Sequence, residues 1–334
     1  MAYEPLVIQT ALAKLERRRD KAERRRFELE RDLYAREPRL RQVDAALRGT
    51  MADLAKLAVE GKSVAADGPE IAAIRARNEA LQKERAGLLA RLGYGPDALD
   101  DVPACPQCRD RGWRPDGQMC VCLRELCAQE QIKVLTALLN LTDEQDFDHL
   151  RLDVYSDRPW NGGRSPRENM RRVVGVCEEY ACQFPDFQDK NLLLSGGTGL
   201  GKTFLSGCIA REVSRRGYSV VYDTAISLFA TFRDQRFARD VGLERQARDD
   251  TRRYLNCDLL ILDDLGSEFH NALSQSALYE VVNGRLQTGR NTIISTNLSA
   301  EELGERYGPQ LASRIRGLYW ELTFYGDDLR LAHI

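Results

Sequence analysis

No stretch of about 18 uncharged apolar residues occurs in the 334-residue chain, which excludes a membrane-spanning helix as a reading. The opening residues, MAYEPLVIQTALAKLERRRD, lack the n-, h- and c-regions of a secretory signal, and the cytoplasm is the expected compartment. Net charge is also missing: 49 basic side chains face 51 acidic ones, leaving a formal −2. That argues against a surface coated with basic groups for duplex DNA, while a local basic groove remains compatible with it. Glycine and proline are nearly absent from the periodic stretches of residues 6–94, so long uninterrupted helices are expected there.

What is present is globular. Hydrophobic residues make up 43% and charged residues 30%, enough for a full core, and the length suits two or three domains at roughly 100–200 residues each. Leu40, Val43, Leu47, Thr50, Leu54 and Leu57 step by three and four, as do Ile71, Ile74, Asn78, Leu81, Arg85, Leu88 and Leu92. Each run puts a narrow apolar seam along one helix. A polar stretch from Glu60 to Pro69 separates them, so an antiparallel helical hairpin is expected, with Asn78 setting register or lying at the seam's edge. A charged helix precedes it and bends near Pro38. The runs Arg17–Arg19 and Arg24–Arg26 are interleaved with Glu16, Asp20, Glu23 and Glu28, which reads as a solvated, ion-paired face. So narrow a hairpin suits a partner-docking arm.

A linker by composition follows at 95–104, then five of the nine cysteines fall between Cys105 and Cys127. Cys105 and Cys108 form a C-x₂-C pair, and Cys120 and Cys122 a C-x-C pair about a dozen residues later. Two such pairs can close a tetrahedral all-cysteine site for Zn²⁺, since no histidine lies between 105 and 148. Cys127 can replace either member of the second pair; redox-active or purely structural cysteines are the competing readings. Cys177, Cys182, Cys208 and Cys257 sit in apolar surroundings and read as small buried hydrophobes. A helix is expected over about 123–141 and a flexible turn over Trp160–Pro166.

From residue 166 the pattern alternates: helix 166–183, strand 191–195, helix 202–216, strand 218–222, helix 225–238, strand 258–262, helix 272–288 and strand 291–296. Short apolar strands alternating with helices indicate an α/β fold, a parallel sheet covered on both faces. Between the first of these strands and the next helix stands Gly196-Gly197-Thr198-Gly199-Leu200-Gly201-Lys202-Thr203, a complete G-x-x-x-x-G-K-[ST]. Glycines let the loop's N–H groups curl around phosphate oxygens, Lys202 reaches the β and γ phosphates, and the Thr203 hydroxyl can ligate Mg²⁺. The chain therefore reads as binding a nucleoside triphosphate.

The strand Asp258–Leu262 ends at adjacent carboxylates, Asp263 and Asp264. Beside a phosphate loop, Asp263 can hold the Mg²⁺ shell while Asp264 faces the attacking water. The strand Thr292–Thr296 ends at Asn297, an amide able to bond the γ-phosphate or that water, or to start a turn. Arg314, with Arg316 two residues on, and Arg330 follow; an arginine from a neighbouring copy can neutralise transition-state charge.

The order of P-loop, LLILDDLGSE, ISTNLS, SRI and GDDLR resembles the AAA+ ATPases of the bacterial DnaC/DnaI helicase-loader clade, which also includes the IstB transposition helpers. The resemblance covers roughly residues 145–334. It implies Walker A over Gly196–Thr203, Walker B at Asp263 and Asp264, sensor 1 at Asn297, the arginine finger at Arg314 (or Arg316) and sensor 2 at Arg330. It also implies that no helical lid follows sensor 2. The cysteine segment is similar to the zinc-bearing N-terminal region of DnaI-type loaders, which favours that type. Leu228–Phe237 carries aromatics and arginines on one helix, where single-stranded DNA can be stacked and neutralised. Phe229, Phe232 and Phe237 are assigned to the core, and Arg233 and Arg236 to DNA.

The expected organisation is thus a helical arm (1–95), a cysteine module (96–128), a helical linker (129–165) and an AAA+ ATPase domain (166–334). The implied function is ATP-dependent loading of a DnaB-type hexameric replicative helicase onto single-stranded DNA, with ATP, Mg²⁺ and Zn²⁺ as cofactors, self-association through the AAA+ domain and no membrane. The alternatives are an IstB-like transposition helper and an adaptor in which ATP is only a conformational ligand.

Overall fold

The computed structural model describes residues 3–59, 69–139, 146–238 and 240–331. By internal contacts the chain forms two compact units, one of Met1–Leu12 with Met119–Ile334 and one of Ala13–Gln118. Among the described residues no helix is long and apolar enough to cross a membrane.

In the second unit, helix α1 (Pro5–Arg36, whose first residues belong to the other unit) gives way at Glu37 to α2 (Pro38–Val59). The expected bend is a full break. Proline has no N–H to give the preceding turn and suits the first position of a new helix. Helix α3 (Pro69–Arg91) runs antiparallel to α2: Arg39 pairs with Glu84, Asp44 with Arg85, and Asn78 Nδ2 donates to Thr50 Oγ1 at 2.7 Å. Asn78 thus joins the two seams. The side chains of Leu54 and Leu57, and the polar loop expected at 60–68, lie outside the described residues.

The arm buries more than a bare hairpin would, because α1 supplies a third wall. Leu33, Leu40, Val43, Leu88 and Leu89 form its core, with Leu29, Tyr34 and Leu99 against it. Each such leucine contributes about 1.5–3 kcal/mol by leaving water. The 95–104 stretch is tied down here too: Arg85 donates to the Pro96 carbonyl and to Asp100 at 2.8 and 2.9 Å. Most of the arginine run over 16–25 is exposed, with Arg18 donating to Asp110 at 2.5 Å.

The other unit is an α/β fold with helices on both faces of a parallel sheet. Its elements are α4 (Val121–Leu138), a 3₁₀ turn (Leu152–Val154), α5 (Pro166–Gln183), β1 (Asn191–Gly196), α6 (Lys202–Arg215), β2 (Val220–Thr224) and α7 (Ala225–Phe237). After these come α8 (Val241–Asn256), β3 (Leu259–Leu265), α9 (Ala272–Gln287), β4 (Asn291–Thr296), α10 (Ala300–Tyr307), α11 (Pro309–Leu318) and β5 (Trp320–Phe324). All pairings are parallel and the order is β2-β3-β4-β1-β5. Alternate residues serve opposite faces, as the strand's two-residue period requires. Leu192, Leu194, Ile261 and Ile293 meet α5 and α6, while Leu193, Leu260, Leu262 and Ile294 meet α7, α9 and α11.

Strand β5 and helices α8, α10 and α11 were not anticipated. Trp320-Glu321-Leu322-Thr323-Phe324 alternates in burial as a one-sided edge strand does, a period-two signal too short to stand out beside longer apolar runs. Helix α8 fills a stretch between the second and third expected strands to which the sequence pattern assigns no element. Its buried Thr251 and Tyr254 make its inward face, with Tyr254 stacked on Phe232 at 6.3 Å between centroids.

Cys177, Cys208 and Cys257 are buried as expected, but Cys182, near the end of α5, is exposed. Burial pushes the Cys208 thiol up to about 12 and raises those of Cys177 and Cys257 as well. Of these four, only Cys182 should take up maleimide rapidly at pH 7 in the native protein. Peptide mapping showing Cys177, Cys208 or Cys257 labelled at the same rate would contradict this packing.

Candidate functional site

Strand β1 is buried on both faces, which its unbroken apolar run demands of a central parallel strand. It ends at Gly196, whose φ of +139° no side chain adopts comfortably and where a Cβ would overlap the Phe324 carbonyl of β5. Helix α6 begins at Lys202, so the 196–201 loop opens onto a helix N-terminus whose N–H groups and dipole favour anions. The loop is braced from outside the motif. Leu329 N donates to the Gly199 carbonyl at 3.2 Å, and the Tyr155 hydroxyl donates to the Leu200 carbonyl at 3.1 Å.

The sheet order puts β4 between the phosphate-loop strand and β3, so the ends of all three strands converge. The β3–β4 ladder slips between Leu262 and Leu265, and Asp264 sits at φ +55°. A local irregularity of this kind re-aims side chains beside a site. It leaves Asp263 buried and Asp264 exposed, so neighbouring carboxylates meet different surroundings.

Lys202 Nζ donates to the carbonyls of Gly196 and Gly197 at 2.7 and 2.6 Å, and to Asn297 Oδ1 at 2.7 Å. Asn297 Nδ2 in turn donates to Asp264 Oδ1 at 3.2 Å, so the amide bridges the lysine and the exposed carboxylate. Burial pulls the Lys202 ammonium below its usual value; Asp263 and Asp264 oppose that, and Arg330 adds to it. Thr203 Oγ1 donates to Asp263 Oδ2 at 3.0 Å, and Ser295 Oγ donates to Oδ1. A hydroxyl oxygen and a carboxylate this close, both hard ligands, fit a Mg²⁺ ion that retains waters and phosphate oxygens.

These groups line one cavity of about 890 Å³, shared by Thr198–Thr203, Asp263, Asp264, Asn297 and Arg330. One wall comes from His149, Leu150, Arg151, Val154 and Tyr155, none of which the sequence pointed to. Tyr155 lies 45 residues from the Leu200 it bonds, and no local period records such a contact. Arg314 and Arg316 are not among the cavity's lining residues. Arg314 lies over the Tyr279 ring at 5.2 Å, and Arg316 borders a separate hollow with Ala300 and Gly304. Arg233 and Arg236 are exposed on α7, while Phe229 and Phe232 are buried; Phe237, expected in the core, is exposed because α7 ends there, beyond the helices that cover it.

Sulfurs of Cys105, Cys108, Cys120 and Cys122 all lie within 4.8 Å of one another, a group that can hold a metal ion. A tetrahedral four-thiolate site with bonds of about 2.3 Å spaces its sulfurs about 3.8 Å apart, so the donor set fits. Gly112 N also donates to Cys108 Sγ at 3.3 Å, the kind of N–H···S contact that steadies a ligating thiolate. Cys127 is not in this group. It is buried on α4, its thiol pushed up to about 11 by burial and by Glu130.

Residues 175–315 match the family model described as IstB-like ATP binding protein. The chain is similar to the replicative helicase loader DnaC of Escherichia coli (strain K12), with 26% identity over 149 residues, 45% of this chain and 59% of that protein. It is similar to DnaC of Buchnera aphidicola subsp. Baizongia pistaciae, 25% identical over 182 residues, 53% of this chain and 71% of the relative. The crystal structure of DnaI aligns over 58% of this chain and 93% of its own, at 19% identity and a TM-score of 0.43. The match thus spans less than two thirds of the Escherichia coli relative.

Proposed function

We propose, from the premise that residues 175–315 form an IstB-like ATP-binding domain, that the chain is an AAA+ ATPase delivering a DnaB-type hexameric replicative helicase onto single-stranded DNA. The observation that carries the ATPase part is the single cavity joining Lys202, Thr203, Asp263, Asp264, Asn297 and Arg330. Backbone N–H groups of 197–203 bind the phosphates, and Lys202 leaves its carbonyl partners for the β and γ oxygens. Thr203 and Asp263 hold Mg²⁺, which when bound offsets the charge developing on the phosphoryl oxygens. Asp264, exposed and held by the Asn297 amide, orients the attacking water, while Asn297 reports whether a γ-phosphate is present. Arg330 faces the same phosphates.

Arg314, outside the lining of its own cavity, serves the site of a neighbouring copy, so self-association completes the active centre. Arg233 and Arg236 on the exposed side of α7 contact the DNA backbone. The unit of residues 13–118, which carries the helical arm, holds the helicase, while α4 and the segment that walls the cavity belong to the ATPase unit. Cys105, Cys108, Cys120 and Cys122 bind Zn²⁺. Helicase recruitment is supported by the similarity to DnaC of Escherichia coli. The full chain should co-elute with a replicative helicase and raise its loading on single-stranded DNA in an ATP-dependent manner. Failure of both with ATPase activity intact would sink the partner assignment.

The IstB description of the matching model favours a second reading, a transposition helper acting on duplex DNA; binding to a transposase instead of the helicase selects it. Metal content is a separate check. Cys108→Ser should lower bound zinc from near one equivalent to near zero by elemental analysis, with nucleotide binding retained. Equal zinc in variant and parent would rule out the cysteine site.

A further inference from the structure

Behind the cavity, bonded to one of the carboxylates that line it, stands a group that no nucleotide motif contains. Tyr222, on β2, is 7% exposed, and its hydroxyl donates to Asp263 Oδ2 at 2.7 Å. In the sheet, Tyr222 lies opposite Ile261 and Thr224 opposite Asp263, so the ring reaches diagonally forward along one face of β3 to the carboxylate. Thr203 donates to the same oxygen and Ser295 to the other. These three donors are neutral hydroxyls.

That choice of partners matters physically. A buried carboxylate kept only for structure is ordinarily paired with a cation, since burying unpaired charge is costly. Here hydroxyls fix the direction of Asp263 and the Lys202 ammonium acts on it only through space, which leaves its oxygens open to a cation brought in with the phosphates. When Thr203 turns its oxygen to such a cation, Tyr222 and Ser295 still hold the two carboxylate oxygens in place.

We infer that Tyr222 is a positioning residue for the divalent cation: its hydroxyl orients Asp263 so that Mg²⁺ and nucleotide bind together more tightly. The inference rests on the Mg²⁺–ATP reading of this cavity. It is tested with the full chain, the Tyr222→Phe variant and a fluorescent ATP analogue, titrated once in EDTA and once against increasing Mg²⁺.

In EDTA the variant should bind within about twofold of the parent, while its half-saturating Mg²⁺ concentration rises roughly tenfold, as loss of a group supporting a metal ligand typically does. A Mg²⁺ midpoint equal to the parent's overturns the inference, even with a lowered melting temperature, because a merely structural hydroxyl would do only the latter. Should Tyr222→Phe fail to fold, Ser295→Ala carries the test through the other oxygen, and an unmoved midpoint there has the same meaning. A parent that binds no nucleotide in either buffer is a different failure: it removes the Mg²⁺–ATP reading itself.

Discussion

Lys202→Ala should lose about a hundredfold in nucleotide affinity, roughly 2.8 kcal/mol at about 1.4 kcal/mol per factor of ten, and hydrolysis should fall to background. In the proposed reading the ammonium is the cation that the β and γ phosphates meet, and its bonds to Gly196, Gly197 and Asn297 hold it at the loop's mouth. Removing it should not unfold the domain. Burial already disfavours its charge in the folded state, so the nucleotide-free variant should melt at or slightly above the parent's temperature.

The clearest measurement is the stabilisation by ligand. At a nucleotide concentration of about 100 times the parent's dissociation constant, the parent gains roughly 2.7 kcal/mol and a hundredfold weaker variant only about 0.4 kcal/mol. Equal melting shifts for the two proteins would mean the phosphates bind elsewhere.

Arg285→Met should strongly destabilise the α/β unit. The side chain is fully buried on α9, and its hydrogen bonds run to the carbonyls of Tyr254, Cys257, Asp258 and Asn291 and to Thr292 Oγ1. Those acceptors include the last-turn carbonyl of α8 and the chain entering β3 and β4. One planar guanidinium therefore ties three elements together at the end of the sheet opposite the cavity, where β3 and β4 begin. Methionine keeps the aliphatic volume but orphans every acceptor, at a cost of about 3–5 kcal/mol. Urea unfolding followed by circular dichroism measures it, and a loss under about 1 kcal/mol would contradict the assigned role. Arg285→Lys should recover only part, because an ammonium cannot reach acceptors spread over that plane.

Much of this was legible because the signals are local. The phosphate loop needs glycines at fixed spacing between a strand and a helix, so the Gly196–Thr203 run identifies both its elements and its chemistry. Buried parallel strands need unbroken apolar runs, which is why Leu192–Leu194, Leu259–Leu262 and Ile293–Ile294 stood out. Arg285 shows the opposite case: in sequence it is one more arginine on an amphipathic helix, and only the approach of α8, β3 and β4 makes it the hub of a buried network.

By itself, then, the sequence determined the alternation of strands and helices, the phosphate loop, the paired carboxylates and the four cysteines, because spacing along a few residues specifies each. Tertiary structure alone decided that β4 inserts between the strands of the loop and the carboxylates, letting Asn297 join Lys202 to Asp264. It likewise decided that Tyr155 bonds the loop, Tyr222 bonds Asp263 and Arg314 lies over Tyr279, outside the cavity's lining. Those contacts link residues tens of positions apart, and their existence follows from sheet order and side-chain direction, which no short window of sequence encodes.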